Sequence, residues 1–113
     1  MKFSDSLKKN KDFLSVYRNG KSYANKYLVM YVLENNTNQN RLGISASKKI
    51  GNSVVRHRFC RLVRESYRLS DEQLLKGYDI VVLARPEVVG VKCQEVQKSF
   101  LHLCKLHHIL KED

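Results

Sequence analysis

This 113-residue chain has no tryptophan, a single proline at Pro86, and three cysteines. Cys60, Cys93 and Cys104 are too few and too scattered for a disulfide framework or a zinc site. Their odd number suits a reducing compartment. No stretch approaches the ~20 apolar residues of a membrane helix, and the opening MKFSDSLKKNKDF has no apolar core of a secretory signal. A soluble, cytoplasmic protein without membrane partners is expected. Repeats, low-complexity tracts and Pro/Gly/Ser linkers are also missing, so residues 1–113 read as one domain. A chain of this length buries roughly two thirds of its unfolded surface, enough for a core without covalent staples.

Acidic residues are scarce: 11 Asp/Glu stand against 21 Lys/Arg, a formal charge of +10. The excess is uneven. Residues 1–26 carry +5, 27–47 are neutral, 48–68 carry +6 and 69–113 carry −1. General basicity would spread the charge, so two basic blocks point to a directed electrostatic footprint.

The second block reads KKIGNSVVRHRFCRLVRESYR, with seven Lys/Arg and one Glu. At about 100° per residue, Arg56, His57, Arg61, Arg64 and Arg68 share one arc of a helix. Val55, Phe59, Leu62, Val63 and Ser66 take the other. Guanidinium groups gathered on a helix whose back is buried are suited to phosphates. A merely solvated basic face would carry more acidic compensation, because like charges repel. RNA or DNA is the expected partner.

The remaining elements follow from periodicity. Asn10 is placed to cap a first helix carrying Phe13, Val16 and Tyr17, with Gly20 as its stop. Ser22–Asn25 begins a sheet, and Tyr27–Glu34 and Arg41–Ser47 read as strands. Asn52 caps the basic helix, which runs to about Leu69. Tyr78–Ala84 is almost continuously apolar, as in a central strand buried on both sides. Val96, Phe100, Leu103, His107 and Leu110 trace a last helix over about Lys92–Lys111. The fold class is α+β, a four-stranded sheet packed by helices in the order α-β-β-β-α-β-α.

The string Ser47-Lys48-Lys49-Ile50-Gly51-Asn52-Ser53-Val54-Val55-Arg56-His57-Arg58 resembles the signature of the bacterial ribonuclease P protein subunit. Leu7-Lys8-Lys9-Asn10-x-Asp12-Phe13 is similar to that family's first helix, and Tyr78–Arg85 to its last strand. The resemblance implies a left-handed β-α-β crossover, where the general rule favours the right hand. It also implies an RNA subunit that uses Mg²⁺ to remove the 5′ leader of precursor tRNA, with no cofactor held by the protein and no protein oligomer required. On the same basis, Lys48, Lys49, Asn52, Arg56, His57, Arg58, Arg61, Arg64 and Arg68 contact RNA. Phe13, Tyr17 and Tyr31 line a cleft for the leader. The family's Arg-Asn-Arg has His57 at its centre here; neutral imidazole, like the amide, offers a donor and an acceptor.

Bland readings compete at three places. Phe13, Tyr17 and Tyr31 could be core packing, with Phe13 and Val16 simply docking the helix on the sheet. His102, His107 and His108 near Cys104 suggest a structural or surface role rather than a metal site, because adjacent helical residues point apart. Asp71, Glu72 and Asp79 lack a neighbouring nucleophile signature, so no catalytic residue is assigned to the protein. The alternative reading is a structural RNA-binding protein of ribosomal type, which needs no single-strand cleft.

Overall fold

The computed structural model describes the backbone of residues 4–111 and the side chains of residues 7–111. Its elements are β1 (Ser4–Ser6), α1 (Asn10–Asn19), β2 (Lys21–Ala24), β3 (Leu28–Glu34), β4 (Asn40–Ser45), α2 (Ser53–Ser70), β5 (Tyr78–Ala84) and α3 (Cys93–Leu106). Short 3-10 turns cover Lys48–Ile50, Asp71–Gln73 and Pro86–Val88. From α1 onward this is the expected α-β-β-β-α-β-α order. The strands lie in the order β1-β4-β5-β3-β2. The four expected strands all belong to this sheet, and the three-residue β1 extends it by pairing parallel with Asn40–Leu42 of β4. Nothing in Ser4-Asp5-Ser6 signals a strand; its backbone joins the sheet without an apolar pattern.

β4 and β5 are parallel neighbours joined through α2, while β3 runs antiparallel to β5 and β2 antiparallel to β3. Side-chain alternation then builds two cores. Leu28, Met30, Val32, Leu42, Ile80 and Val82 meet Phe59, Val63, Tyr67, Phe100 and Leu103 from α2 and α3. On the other face Val81 packs with Leu7 and Val16 under α1, flanked by Phe13, Tyr17, Tyr31, Leu33 and Leu83. β5 supplies both cores: Ile80, Val81 and Val82 are each completely buried. That accounts for its unbroken apolar run.

Two local expectations need correcting and a third holds. Asn10 is the first residue of α1, and Lys9 occupies the cap position without a side-chain bond. Gly20 ends α1 as expected, in extended backbone. Its lack of a side chain matters for space, since a β-carbon there would lie 2.7 Å from the Val16 carbonyl and 2.8 Å from that of Val32. Finally, α3 stops at Leu106, after which residues 109–111 turn to bond Gln73 and Leu75. Leu110 bridges Leu74 instead of continuing the helical stripe.

Candidate nucleic-acid interface

The basic segment is held from both ends. Ser47 Oγ accepts from Lys49 N (3.2 Å), setting the 3-10 turn that presents exposed Lys48 and Lys49. Asn52 Oδ1 accepts from Val55 N (3.1 Å), the cap expected at the start of α2. With Phe59, Val63 and Ser66 buried, the helix phase leaves His57, Arg61, Arg64 and Arg68 exposed. Four of the five residues of the predicted arc thus lie on the solvent face, and Arg56 does not.

Its members differ in what they do. Arg61 and Arg64 are exposed side chains in the middle of the face. Arg68 is engaged with Glu65 one turn back; hydrogen bonding to Arg68 lowers the Glu65 pKa and raises that of Arg68. Arg58, outside that arc, donates through Nη2 to the Val91 carbonyl (2.9 Å), tying α2 to the loop after β5. Arg56 is half-buried, and its Nε is a buried donor with no acceptor among the described residues. Such a donor is costly to leave unmade. It lies in a hollow of about 270 Å³ formed with His57, Cys60, Ser53, Ile44 and Ala46.

The three aromatic residues come together on the opposite face of the sheet. Phe13 and Tyr17 ring centres are 6.4 Å apart, and Tyr17 meets Tyr31 edge-on at 5.0 Å. All three are half-buried. Burial raises the Tyr17 hydroxyl pKa, partly offset by a hydrogen bond with Ser45, so this phenol is neutral across the physiological range. Gly43 makes the arrangement possible: a β-carbon there would sit 2.8 Å from the Phe13 ring. A second hollow, about 440 Å³, is lined by Asn10, Phe13, Leu14, Tyr17, Ile44 and Ser45.

Ile44 borders both hollows. β1 pairs with β4 only as far as Leu42, so among the described residues no strand covers the outer edge of Gly43–Ser45. Arginine helix and aromatic cleft therefore adjoin across an open strand edge, making one continuous surface of charge, rings and unpaired backbone. Such a combination suits single-stranded nucleic acid.

The chain matches the ribonuclease P family over residues 1–107. The ribonuclease P protein component of Lachnoclostridium phytofermentans is 57% identical over 107 residues, covering 95% of this chain and 92% of the relative. That of Clostridioides difficile is 48% identical, covering 88% of each. The solved Staphylococcus aureus RNase P protein superposes with a TM-score of 0.87 at 35% identity, covering 96% of this chain and 99% of its own. The chain belongs to the ribonuclease P protein family. It is thus the protein component of the ribonucleoprotein enzyme of tRNA 5′ processing, alongside an RNA subunit. The RNase P protein of Thermotoga maritima shares the fold at a TM-score of 0.84 and 33% identity, covering 90% of this chain and 96% of that one.

Elsewhere in this ribonuclease P protein, the charged groups considered for chemistry serve architecture. Asp79 is buried and accepts two bonds from Arg41 (2.8 and 2.6 Å) and one from Asn35 (2.9 Å). Asp71 pairs with Lys76 (3.0 Å). Burial pushes the Cys104 thiol up to about 12, leaving it protonated and unreactive. Among the described residues no group of three or more His, Cys, Asp or Glu could hold a metal ion, and no helix is long and apolar enough to cross a membrane. Sequence reasoning missed Gly43, Ile44 and Ser45. Their only signal was a glycine amid strand alternation, which marks a close approach by another group.

Proposed function

We propose that the face formed by Lys48, Lys49, Asn52, Arg56, His57, Arg61, Arg64 and Arg68 binds the catalytic RNA, with Arg58 bracing the helix that carries it. The Phe13–Tyr17–Tyr31 cleft takes the single-stranded leader of precursor tRNA. The observation that carries this reading is the meeting of the two hollows at Ile44, along the open edge of β4. A leader leaving the cleft would pass directly onto the arginine helix. A structural RNA-binding protein of ribosomal type would have use for the helix but none for the adjoining rings.

The chemical role is electrostatic. Two polyanions, catalyst and substrate, must approach each other, and guanidinium groups between them lower the repulsion while fixing geometry through paired hydrogen bonds. Mg²⁺ belongs to the RNA subunit, and the protein raises its effective occupancy only by holding the RNA fold. A single cytoplasmic protein domain, acting as a monomer, suffices.

The test combines assembly with salt. Precursor tRNA is incubated with protein alone, RNA alone and both, and binding to the catalytic RNA is measured against salt concentration. Five or more phosphate contacts, at roughly 0.7–0.9 in log–log slope each, predict a slope steeper than about −3.5. Arg61→Ala and Arg64→Ala should each weaken binding without altering the thermal melt. A slope shallower than about −2, or cleavage by the protein alone, would sink the proposal.

A further inference from the structure

A third groove lies away from both hollows, between the edge strand β2 and the C-terminal end of α3. It is open, about 820 Å³, and its polar lining is Tyr23, His102, Lys105, His108 and Lys111. Among the described residues no acidic side chain lines it. β2 stands three strand steps from β4 in the sheet, roughly 14 Å at about 4.8 Å per step, so this groove lies across the sheet from the open stretch of β4. We infer that it is a second RNA-binding surface, holding a phosphate backbone between Lys105 and Lys111 with a base against Tyr23. The inference rests on RNA being this protein's partner, as proposed above.

The groove is organised in advance. Asn25 Oδ1 accepts from Leu28 N (3.1 Å), Tyr27 N (3.3 Å) and Ser99 Oγ (2.9 Å), so its Nδ2 must be the donor. That nitrogen bonds the Ser99 carbonyl (3.0 Å) and His102 Nδ1 (3.2 Å). His102 Nδ1 is therefore an acceptor, and the neutral ring carries its proton on Nε2 as a donor available to the groove. Tyr23 is 41% exposed and is set edge-on to His107 at 4.7 Å. His107 is itself anchored, its Nε2 donating to the Met30 carbonyl (2.9 Å). The ring is thus held at the rim with surface to spare, as a stacking platform needs.

His108 adds a further sign. It adopts φ 58° at the position that closes α3, with His108 N bonding Lys105 O and Ile109 N bonding Cys104 O. Glycine fills such a position without steric conflict, whereas a β-carbon resists it. A histidine kept there lines the groove at a conformational cost. Among the described residues every polar side chain at the rim can donate, and two are fixed cations, so an anion with several acceptors is the fitting occupant.

The RNA could be the catalytic subunit or the substrate, and the experiment separates them. Lys105→Ala/Lys111→Ala and Tyr23→Ala are compared with Arg61→Ala/Arg64→Ala, all as full chains. Each is titrated against catalytic RNA alone and then, within assembled holoenzyme, against precursor tRNA. The double-lysine variant should bind one of these RNAs about three- to tenfold more weakly, with its salt slope flatter by about 1.4–1.8 for two lost contacts. Tyr23→Ala should weaken the same RNA about tenfold, and Tyr23→Phe should restore it. The arm that responds identifies the RNA. Should a variant melt early, Lys105→Gln/Lys111→Gln replaces it, since both lysines are exposed. Groove variants that leave both affinities and slopes unchanged, while the α2 variants weaken binding, overturn the inference alone. Groove variants that act while the α2 pair is inert uphold it and overturn the α2 interface. Inertness of all variants overturns both.

Discussion

The two faces of the sheet are built from the same strands and finished differently. Under α2 and α3 the side chains interlock until Leu28, Met30, Val63, Tyr67, Phe100 and Leu103 lose all contact with solvent. Under α1, Leu7, Val16 and Val81 are the buried apolar side chains among the described residues, and the largest side chains there remain half-open. One helix of ten residues cannot cover the face that two helices of 18 and 14 residues cover opposite. The uncovered strip is where Phe13, Tyr17 and Tyr31 gather. One face thus supplies the stability of the molecule, and the other leaves aromatic surface to be covered by a ligand.

The sharpest way to break this comparison is to delete one phenylalanine from each face. Phe59→Ala should cost about 3–5 kcal/mol, because a cavity opens in a fully packed core. Phe13→Ala should cost about 1–2 kcal/mol, as a half-exposed ring gives up less buried area. Urea denaturation of the two variants measures both. If Phe13→Ala proves as damaging as Phe59→Ala, the α1 face is a second structural core and the cleft loses its meaning.

Much of this division could be read in the residues themselves. The α2 phase followed from Phe59, Val63 and Ser66 against Arg61 and Arg64, since a strongly amphipathic pattern of 18 residues leaves little freedom. The two-sided burial of β5 followed from Ile80-Val81-Val82. Contacts without periodicity were illegible. β1 joins the sheet through backbone alone. Arg58 reaches across to Val91, a residue 33 positions away. The adjoining of cleft and helix at Ile44 depends on β1 ending at Leu42, which no side-chain pattern encodes. Charge sums also mislead: residues 69–113 carry −1 in total, yet Asp79 is spent on Arg41 of β4, and among the described residues the groove at the end of α3 is lined by Lys105 and Lys111 without an acid.

A milder intervention sharpens what the open face is for. Tyr17→Ala and Tyr31→Ala should weaken precursor tRNA binding to the holoenzyme by about 1–3 kcal/mol each, the worth of a base stacked on an aromatic ring. Mature tRNA, which lacks the leader, should bind as before. Tyr17→Phe keeps the ring and should retain most of the affinity, losing only the hydroxyl's bond with Ser45. Equal losses for precursor and mature tRNA would instead mean that the rings hold the fold.

The smallest expected effect lies on the α2 side, at the one acid within its basic face. Glu65 holds Arg68 in an exposed pair one turn apart, and exposed pairs of this kind contribute little to stability. Replacing Glu65 with Gln releases the guanidinium and removes a negative charge from a surface proposed to meet phosphates. The thermal melt should not move. Affinity for the catalytic RNA should rise about two- to threefold at low salt, and the gain should fade as the Debye length shrinks from about 10 Å at 0.1 M to 3 Å at 1 M. A loss of affinity in Glu65→Gln would show that the pair positions Arg68 for its contact, making the acid a partner in RNA binding rather than a brake on it.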